Sequence, residues 1–271
     1  MSAAERLAEL MPEVVRIARS AGSAVMDVYN AGFTVTRKAD NSPITAADED
    51  AQTVIEQGLL SMTPRTPVVS EESELPPWRT RKRWSTYWLV DPLDGTREFI
   101  RRNNQFAVNI ALIHDGRPVL GVVHSPARDT TWYGGRTLGA WRRRSGGRAE
   151  RIHTTTPHGA PLRVVLGRAV PGPRTRALLK HLPEHRIITC GASLKLCLIA
   201  DGRADLFPRF GPISEWDLAA PEAVLEGAGG MVASMDTMER LRYNTRDIPT
   251  TADILAFGDP TVKWKRCIVR P

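Results

Sequence analysis

Apolar positions recur at helical spacing from the start of the chain. Leu7, Leu10, Met11, Val14, Val15, Ala18, Ala21, Val25 and Val28 share one face of a helix drawn over residues 5–29. The stretch 34–44, VTRKADNSPIT, is polar and contains Pro43, so it reads as a loop. Thr45 then caps a second helix that ends near Pro64. Asp48 lies three residues on and completes a capping box with Asp in place of Glu, while Val54, Ile55, Leu59 and Leu60 supply the apolar stripe.

After Pro64 the period changes. Val68-Val69-Ser70, Tyr87-Trp88-Leu89-Val90 and the runs 106–113 and 118–123 read as strands. The last two are joined by His114-Asp115-Gly116-Arg117, a hairpin signal, and 131–133 and 138–141 extend the same antiparallel sheet. Gly, Arg and Pro dominate from about 142 to 161, which reads as an irregular connection between an N-terminal α+β half (about 1–150) and a C-terminal α/β half (about 160–271). Beyond it, strands at 162–166, 186–189 and 204–207 alternate with helices at 174–182, 193–200 and 217–227, the pattern of an α/β layer. The expectation is one unit over 1–271, with helices layered against two sheets.

Composition narrows the partners. At 271 residues with 42% hydrophobic and 25% charged positions, the chain is an ordinary globular one. No apolar run reaches the ~18 residues of a membrane span. Glu5, Arg6, Glu9 and Glu13 break the apolar core that a secretory signal needs, so a cytoplasmic location is expected. Cys190, Cys197 and Cys267 form no CxxC pair and read as reduced structural thiols. The net charge of +7 favours an anionic partner: nucleic acid, a membrane surface or a phosphorylated metabolite. The basic runs at 79–83 and 142–148 stand beside no nucleic-acid motif and read as solvated loops.

The chemistry concentrates in acids that follow apolar strands. Asp91-Pro92-Leu93-Asp94-Gly95-Thr96 follows Leu89-Val90 directly. Two carboxylates in one tight turn repel each other unless a cation lies between them, and hard oxygen ligands suit magnesium, calcium or manganese. An acidic turn explains the same residues without a metal, because Asp-Gly is a common turn pair. Ser70-Glu71-Glu72 also follows a short strand, and Trp216-Asp217 opens the Leu218–Leu225 helix. Taken singly, Glu71 reads as a loop residue and Asp217 and Asp48 as helix caps.

Together the fragments resemble the lithium-sensitive, magnesium-dependent phosphatase superfamily that includes inositol monophosphatase. Val69-Ser70-Glu71-Glu72 is similar to its glutamate motif, Leu89 to Thr96 with Glu98-Phe99 to its central motif, and Trp216-Asp217-Leu218-Ala219-Ala220 to its C-terminal motif. Lys38-Ala39-Asp40-Asn41-Ser42-Pro43, Gly191-Ala192-Ser193-Leu194-Lys195 and Pro208-Arg209-Phe210-Gly211-Pro212 resemble segments of its bacterial 3'(2'),5'-bisphosphate nucleotidases.

The resemblance implies an αβαβα layered sandwich. It implies hydrolysis of the 3'-phosphate of adenosine 3',5'-bisphosphate to AMP, a step that clears a by-product of sulfur assimilation. It also implies two to three magnesium ions. Glu71, Asp91 and the Leu93 carbonyl would hold one; Asp91, Asp94 and Asp217 would hold a second; a third would lie near Glu71. Thr96 with Asp48 would orient and activate the attacking water, and the Gly95 and Thr96 amides would hold the scissile phosphate. Lys195 and Arg209 would meet the nucleotide and its second phosphate. Gly167-Arg168-Ala169-Val170 departs from the Ser- and His-containing turn of relatives, which puts nucleotide contacts there in question. No nucleic-acid partner is expected, the unit is a monomer or homodimer, and peripheral attachment to the cytoplasmic face of the inner membrane is compatible with catalysis. Two rival readings remain at this point. One is an inositol monophosphatase or other sugar-phosphate phosphatase of the same fold. The other is a non-catalytic basic protein that binds nucleic acid or membrane.

Overall fold

In the computed structural model, which describes residues 2–37, 43–157 and 161–267, the amphipathic start of the chain forms α1 (Ala3–Ala31). It outruns the expected 5–29 because a capping box starts it early: the Glu5 N–H donates to Ser2 Oγ at 3.2 Å and the Ser2 N–H to Glu5 Oε2 at 2.7 Å. The polar stretch that follows contains only the short pair β1 (Thr36–Arg37) and β2 (Pro43–Ile44), and positions 38–42 of the Lys38–Pro43 motif lie outside the described residues. Helix α2 (Ala46–Met62) begins at Thr45 with the Asp48 capping box expected of it.

A seven-stranded sheet comes next. Its order is β3 (Val68–Ser70), β4 (Thr86–Asp94), β5 (Ala107–His114), β6 (Arg117–Ser125), β7 (Thr130–Gly135), β8 (Gly139–Arg144) and β9 (Glu150–Arg151). Strands β3 and β4 run parallel and the rest antiparallel. Two short helices interrupt it, α3 (Trp78–Arg81) and α4 (Thr96–Ile100). The five-stranded second sheet is built from β10 (Leu162–Leu166), β11 (His185–Thr189), β12 (Leu206–Arg209), β14 (Met231–Ser234) and β16 (Ile254–Phe257), in the order β11-β10-β12-β16-β14. The pair β13 (Ile213–Ser214) and β15 (Thr250–Thr251) stands apart from it. Helices α5 (Pro173–His181), α6 (Leu194–Ala200) and α7 (Glu215–Gly227) complete the chain.

Alternation within the central strands assigns the layers. Trp88, Val90, Val108 and Ile110 pack against Val14, Ile17, Ala51 and Ile55 of α1 and α2. Tyr87, Leu89, Ala107 and Ala111 point the other way, toward Leu196 and Cys197 of α6 and Leu218, Ala219 and Ala220 of α7. The second sheet closes this middle core through Val165, Phe207, Val232 and Ala256. Its outer face, with Val164, Leu206 and Leu255, takes Leu178 and Leu179 of α5. The result is the αβαβα sandwich that the sequence motifs implied. Strands β4 and β5 are buried on both faces, which is why they read as unbroken apolar runs.

Two readings need correction. The stretch from 142 is not wholly irregular: β8 continues to Arg144 and β9 adds an edge at Glu150–Arg151. Charged side chains are the usual dressing of a sheet edge and hid the strand pattern. The strands at Met231–Ser234 and Ile254–Phe257 were not anticipated at all. Among the described residues no helix is long and apolar enough to cross a membrane.

Candidate metal centre and phosphate pocket

Strand β3 ends at Ser70, which lies opposite Val90 of β4, one residue before Asp91. The Glu71 N–H continues the ladder by donating to the Val90 carbonyl at 3.2 Å, which stands Glu71 beside Asp91. A clamp from α2 fixes this turn: Ser70 Oγ donates to Gln52 Oε1 at 2.6 Å, and Gln52 Nε2 donates to Ser73 Oγ at 2.8 Å.

A bulge decides where Asp94 goes. Asp91 pairs with Asn109 and Asp94 with Ala107, so three steps along β4 match two along β5. In a regular strand, residues three apart point to opposite faces; the extra residue returns Asp94 to the face of Asp91. Pro92, which has no N–H to contribute to a ladder, lies in the bulge. Gly95 follows with φ +90°, a conformation that favours glycine, and turns the chain into α4 with Thr96 as its first residue.

The fourth acid comes from the other half. Asp217 lies in the first turn of α7 but does not cap it, since Ser214 holds the cap position. One ligand oxygen from each of Glu71, Asp91 and Asp217 lies within 4.8 Å of the others. Asp94 is outside this tightest group. It lines the same cavity, and its charge acts on both Asp91 and Asp217.

The electrostatics of the cluster call for a cation. Asp91 is 1% exposed. Its Oδ1 accepts the Leu93 N–H at 3.0 Å, while its Oδ2 is buried and has no hydrogen-bond donor among the described residues. Burial first, then the charges of Glu71, Asp94, Asp217 and Asp48, hold the Asp91 carboxyl well above the usual carboxylate range. Burial, Asp94 and Glu71 push Asp217 the same way, with Lys195 opposing. An acceptor surrounded by acceptors can be satisfied only by a proton or a cation. All-oxygen donors of this kind fit magnesium.

The remaining expected residues fall into place around this point. Leu93 is buried in the cavity wall, and its carbonyl accepts Thr96 Oγ1 at 3.2 Å. Asp48 does not line the cavity. Its Oδ2 accepts the Thr45 N–H at 2.8 Å and the Thr45 hydroxyl at 2.9 Å as part of the cap, and its charge acts on Asp91. Lys195, near the start of α6, donates its Nζ to the Ala192 carbonyl and lies 5.3 Å from the centre of the Phe207 ring. Burial lowers its pKa, and the nearby Asp94 carboxylate is the main counterweight. Arg209 is exposed at the end of β12, with one N–H on the Pro212 carbonyl at 3.2 Å.

These residues line one cavity of about 940 Å³ between the two sheets. Its lining includes the acids Glu71, Asp91, Asp94 and Asp217 and the cations Lys195, Arg209 and Arg174, with Phe210; Lys195 is near enough to Asp94 and Asp217 to act on both charges. In the loop 167–170, Gly167, Ala169 and Val170 line the cavity, while Arg168 pairs with Glu98 of α4 at 3.3 Å. Sequence reasoning gave no site role to Gln52 behind Glu71, to Asn109 and Ser193 beside Asp94, or to Arg174 in the cavity lining. Asn109 left a signal, as a lone amide inside the apolar run of β5.

A family model described as the inositol monophosphatase family matches residues 6–258. The 3'(2'),5'-bisphosphate nucleotidase CysQ of Escherichia coli K12 is 46% identical over 226 residues, 82% of this chain and 89% of that one. Its namesake in Haemophilus influenzae is 33% identical over 257 residues, covering 94% and 95% of the two chains. Among solved structures, CysQ from Bacteroides thetaiotaomicron superposes with a TM-score of 0.79 at 32% identity, over 91% of this chain and 96% of that one. An inositol monophosphatase from Anabaena gives a TM-score of 0.74 at 27% identity, over 94% and 92%. With the layered fold, the acidic cluster and a match that runs nearly end to end, the chain belongs to the inositol monophosphatase family.

Proposed function

We propose that the chain is a magnesium-dependent 3'(2'),5'-bisphosphate nucleotidase that converts adenosine 3',5'-bisphosphate to AMP and inorganic phosphate. The observation that carries this reading is the buried Oδ2 of Asp91, which has no hydrogen-bond donor among the described residues, set among Glu71 and Asp217 in a cavity that Lys195 and Arg209 also line. A phosphatase needs the first feature for its metal, and a substrate with two phosphates needs the second.

Glu71, Asp91, Asp94, Asp217 and the Leu93 carbonyl would hold two to three ions, with Asp91 bridging. Magnesium bound there supplies charge neutralisation at the phosphoryl group and a lowered pKa for bound water. Thr96 and Asp48 orient the attacking water. The support for Thr96 is its hydroxyl beside the Leu93 carbonyl at the mouth of the bulge. Asp48 lies one layer back and acts through its field on Asp91. The Gly95 and Thr96 amides, at the start of α4, hold the phosphate being removed. Lys195 and Arg209 hold the nucleotide and its second phosphate; the Arg209 guanidinium, bonded only weakly to its own turn, can take a phosphate bidentately. Phosphoryl transfer depends on positioning and electrostatics, so in-line attack by water needs no phosphorylated enzyme. The location proposed for this work is the cytoplasm.

The test is a comparison of phosphate release from adenosine 3',5'-bisphosphate and from inositol 1-phosphate at one magnesium concentration. The bisphosphate should be hydrolysed with the higher kcat/KM. Faster turnover of the inositol ester would make the chain an inositol monophosphatase instead.

A further inference from the structure

Strand β5 is apolar from Ala107 to Ile113 except at Asn109, which is fully buried and faces Asp91 across the ladder. An amide in such a place is costly unless it is hydrogen-bonded. Its Nδ2 contacts Asp94 Oδ2 at 3.4 Å, and its Oδ1 accepts Ser193 Oγ at 3.0 Å. The Ser193 N–H closes the ring by donating to the same Asp94 oxygen. The amide's orientation follows from chemistry: a carboxylate can only accept, so the NH2 side must face it, and the serine hydroxyl then donates to the other side. Among the described residues, every hydrogen bond accepted by Asp94 falls on Oδ2, which leaves Oδ1 to a cation.

We propose that Asn109 is a positioning residue for Asp94, and that through Ser193 it ties this carboxylate to the start of α6, the helix that carries Lys195. The inference rests on the proposed role of Asp94 as a metal ligand. Like charges on Asp91 and Asp217 push Asp94 away from them. A ring that grips one of its oxygens holds the other in place before the ion arrives. It also joins the N-terminal sheet to the second half, so the metal ligand and the cation that meets the second phosphate share one rigid support.

The test uses Asn109→Leu, which keeps the shape and deletes the hydrogen bonds, and Ser193→Ala, which keeps the backbone donor. Magnesium binding is measured by calorimetry on the metal-free protein, with melting temperatures recorded with and without magnesium. Kinetics follow on adenosine 3',5'-bisphosphate. Partners that orient a ligand are worth about 10–100-fold in metal affinity. Asn109→Leu should weaken magnesium binding within that range and Ser193→Ala by less, with metal-free melting close to wild type, KM little changed and kcat largely recovered at saturating magnesium. A folded variant with wild-type magnesium affinity overturns the proposal. So does an equal loss of melting temperature with and without magnesium at unchanged affinity, which marks a purely structural role. If Asn109→Leu does not fold, the affinity of Ser193→Ala decides the matter alone. A wild-type protein that binds magnesium yet spares the bisphosphate would overturn the proposed substrate, and the calorimetric result for Asn109 would stand apart from it.

Discussion

Asp91 is buried, shares its site with three other acids, and has one oxygen that receives no hydrogen bond from any described residue. Without a cation its ionised form is disfavoured; with one, it can bridge. Asp91→Asn should therefore lower turnover by at least about 100-fold while raising the melting temperature of the metal-free protein, because a carboxyl group whose ionisation is opposed by burial and by its acidic neighbours has gone. Asp94→Asn should also abolish turnover with the fold intact. A second buried acid allows an independent check. Glu222 in α7 is fully buried; burial, chiefly, pushes its pKa up to about 8 from 4.5, despite the hydrogen bond from Tyr243 and the charges of Arg117 and Arg240, with Glu226 adding to the rise. An acid with a raised folded-state pKa contributes stability that is complete below about 4.5 and is lost as the pH climbs toward about 8. Glu222→Gln should thus melt higher than wild type at pH 9, with the gap closing at pH 5. At this scale the sequence was informative where acids follow apolar strands, as at Glu71 and Asp91, since a polar group there must leave the core. It was silent on which acids meet: Asp217 is more than a hundred positions from Asp91, and only packing of α7 against the sheet brings them together.

Among the elements, α1, α2 and the β5–β6 hairpin were legible because their periodicity and caps are local properties. The bulge in β4 was not. Simple alternation sends Asp91 and Asp94 to opposite faces, and nothing in Asp-Pro-Leu-Asp states that one residue will be skipped in the pairing. Strand β9 was hidden by its edge charges, and α4 by being little more than one turn long. The placement of α7 depends on a close approach that can be tested. A Cβ on Gly121 of β6 would lie 2.3 Å from the Ala220 carbonyl oxygen of α7, and backbone cannot step aside cheaply. Gly121→Ala should cost about 1–3 kcal/mol, read as a lower melting temperature. It should also reduce activity more than a remote substitution of equal cost, because shifting α7 moves Asp217 off the cluster.

For the molecule as a whole, five layers leave a cavity lined by both acids and cations from the two halves. The layer order was legible from strand–helix alternation once the family motifs were recognised. The cavity was not, since its walls come from both halves of the chain. The surplus of positive charge, 37 Lys and Arg against 30 Asp and Glu, acts at longer range. It should speed encounter with a polyanionic nucleotide, so KM for adenosine 3',5'-bisphosphate should rise as salt is raised from about 0.01 to about 0.15 M, over which the Debye length falls from about 30 to about 8 Å. A KM indifferent to salt would confine the electrostatics to the cavity itself.

The central claim is that the acids gathered around buried Asp91 form a cation cage serving phosphate removal. Phosphate release from adenosine 3',5'-bisphosphate, titrated with magnesium in wild type and in Asp91→Asn, tests it most directly. The wild type should be inactive in chelator and rise to saturation with added magnesium, while the Asp91→Asn variant, folded by its melting curve, stays near the chelator baseline at every concentration. Hydrolysis by the wild type in chelator, or a normal magnesium response in the variant, would contradict the account.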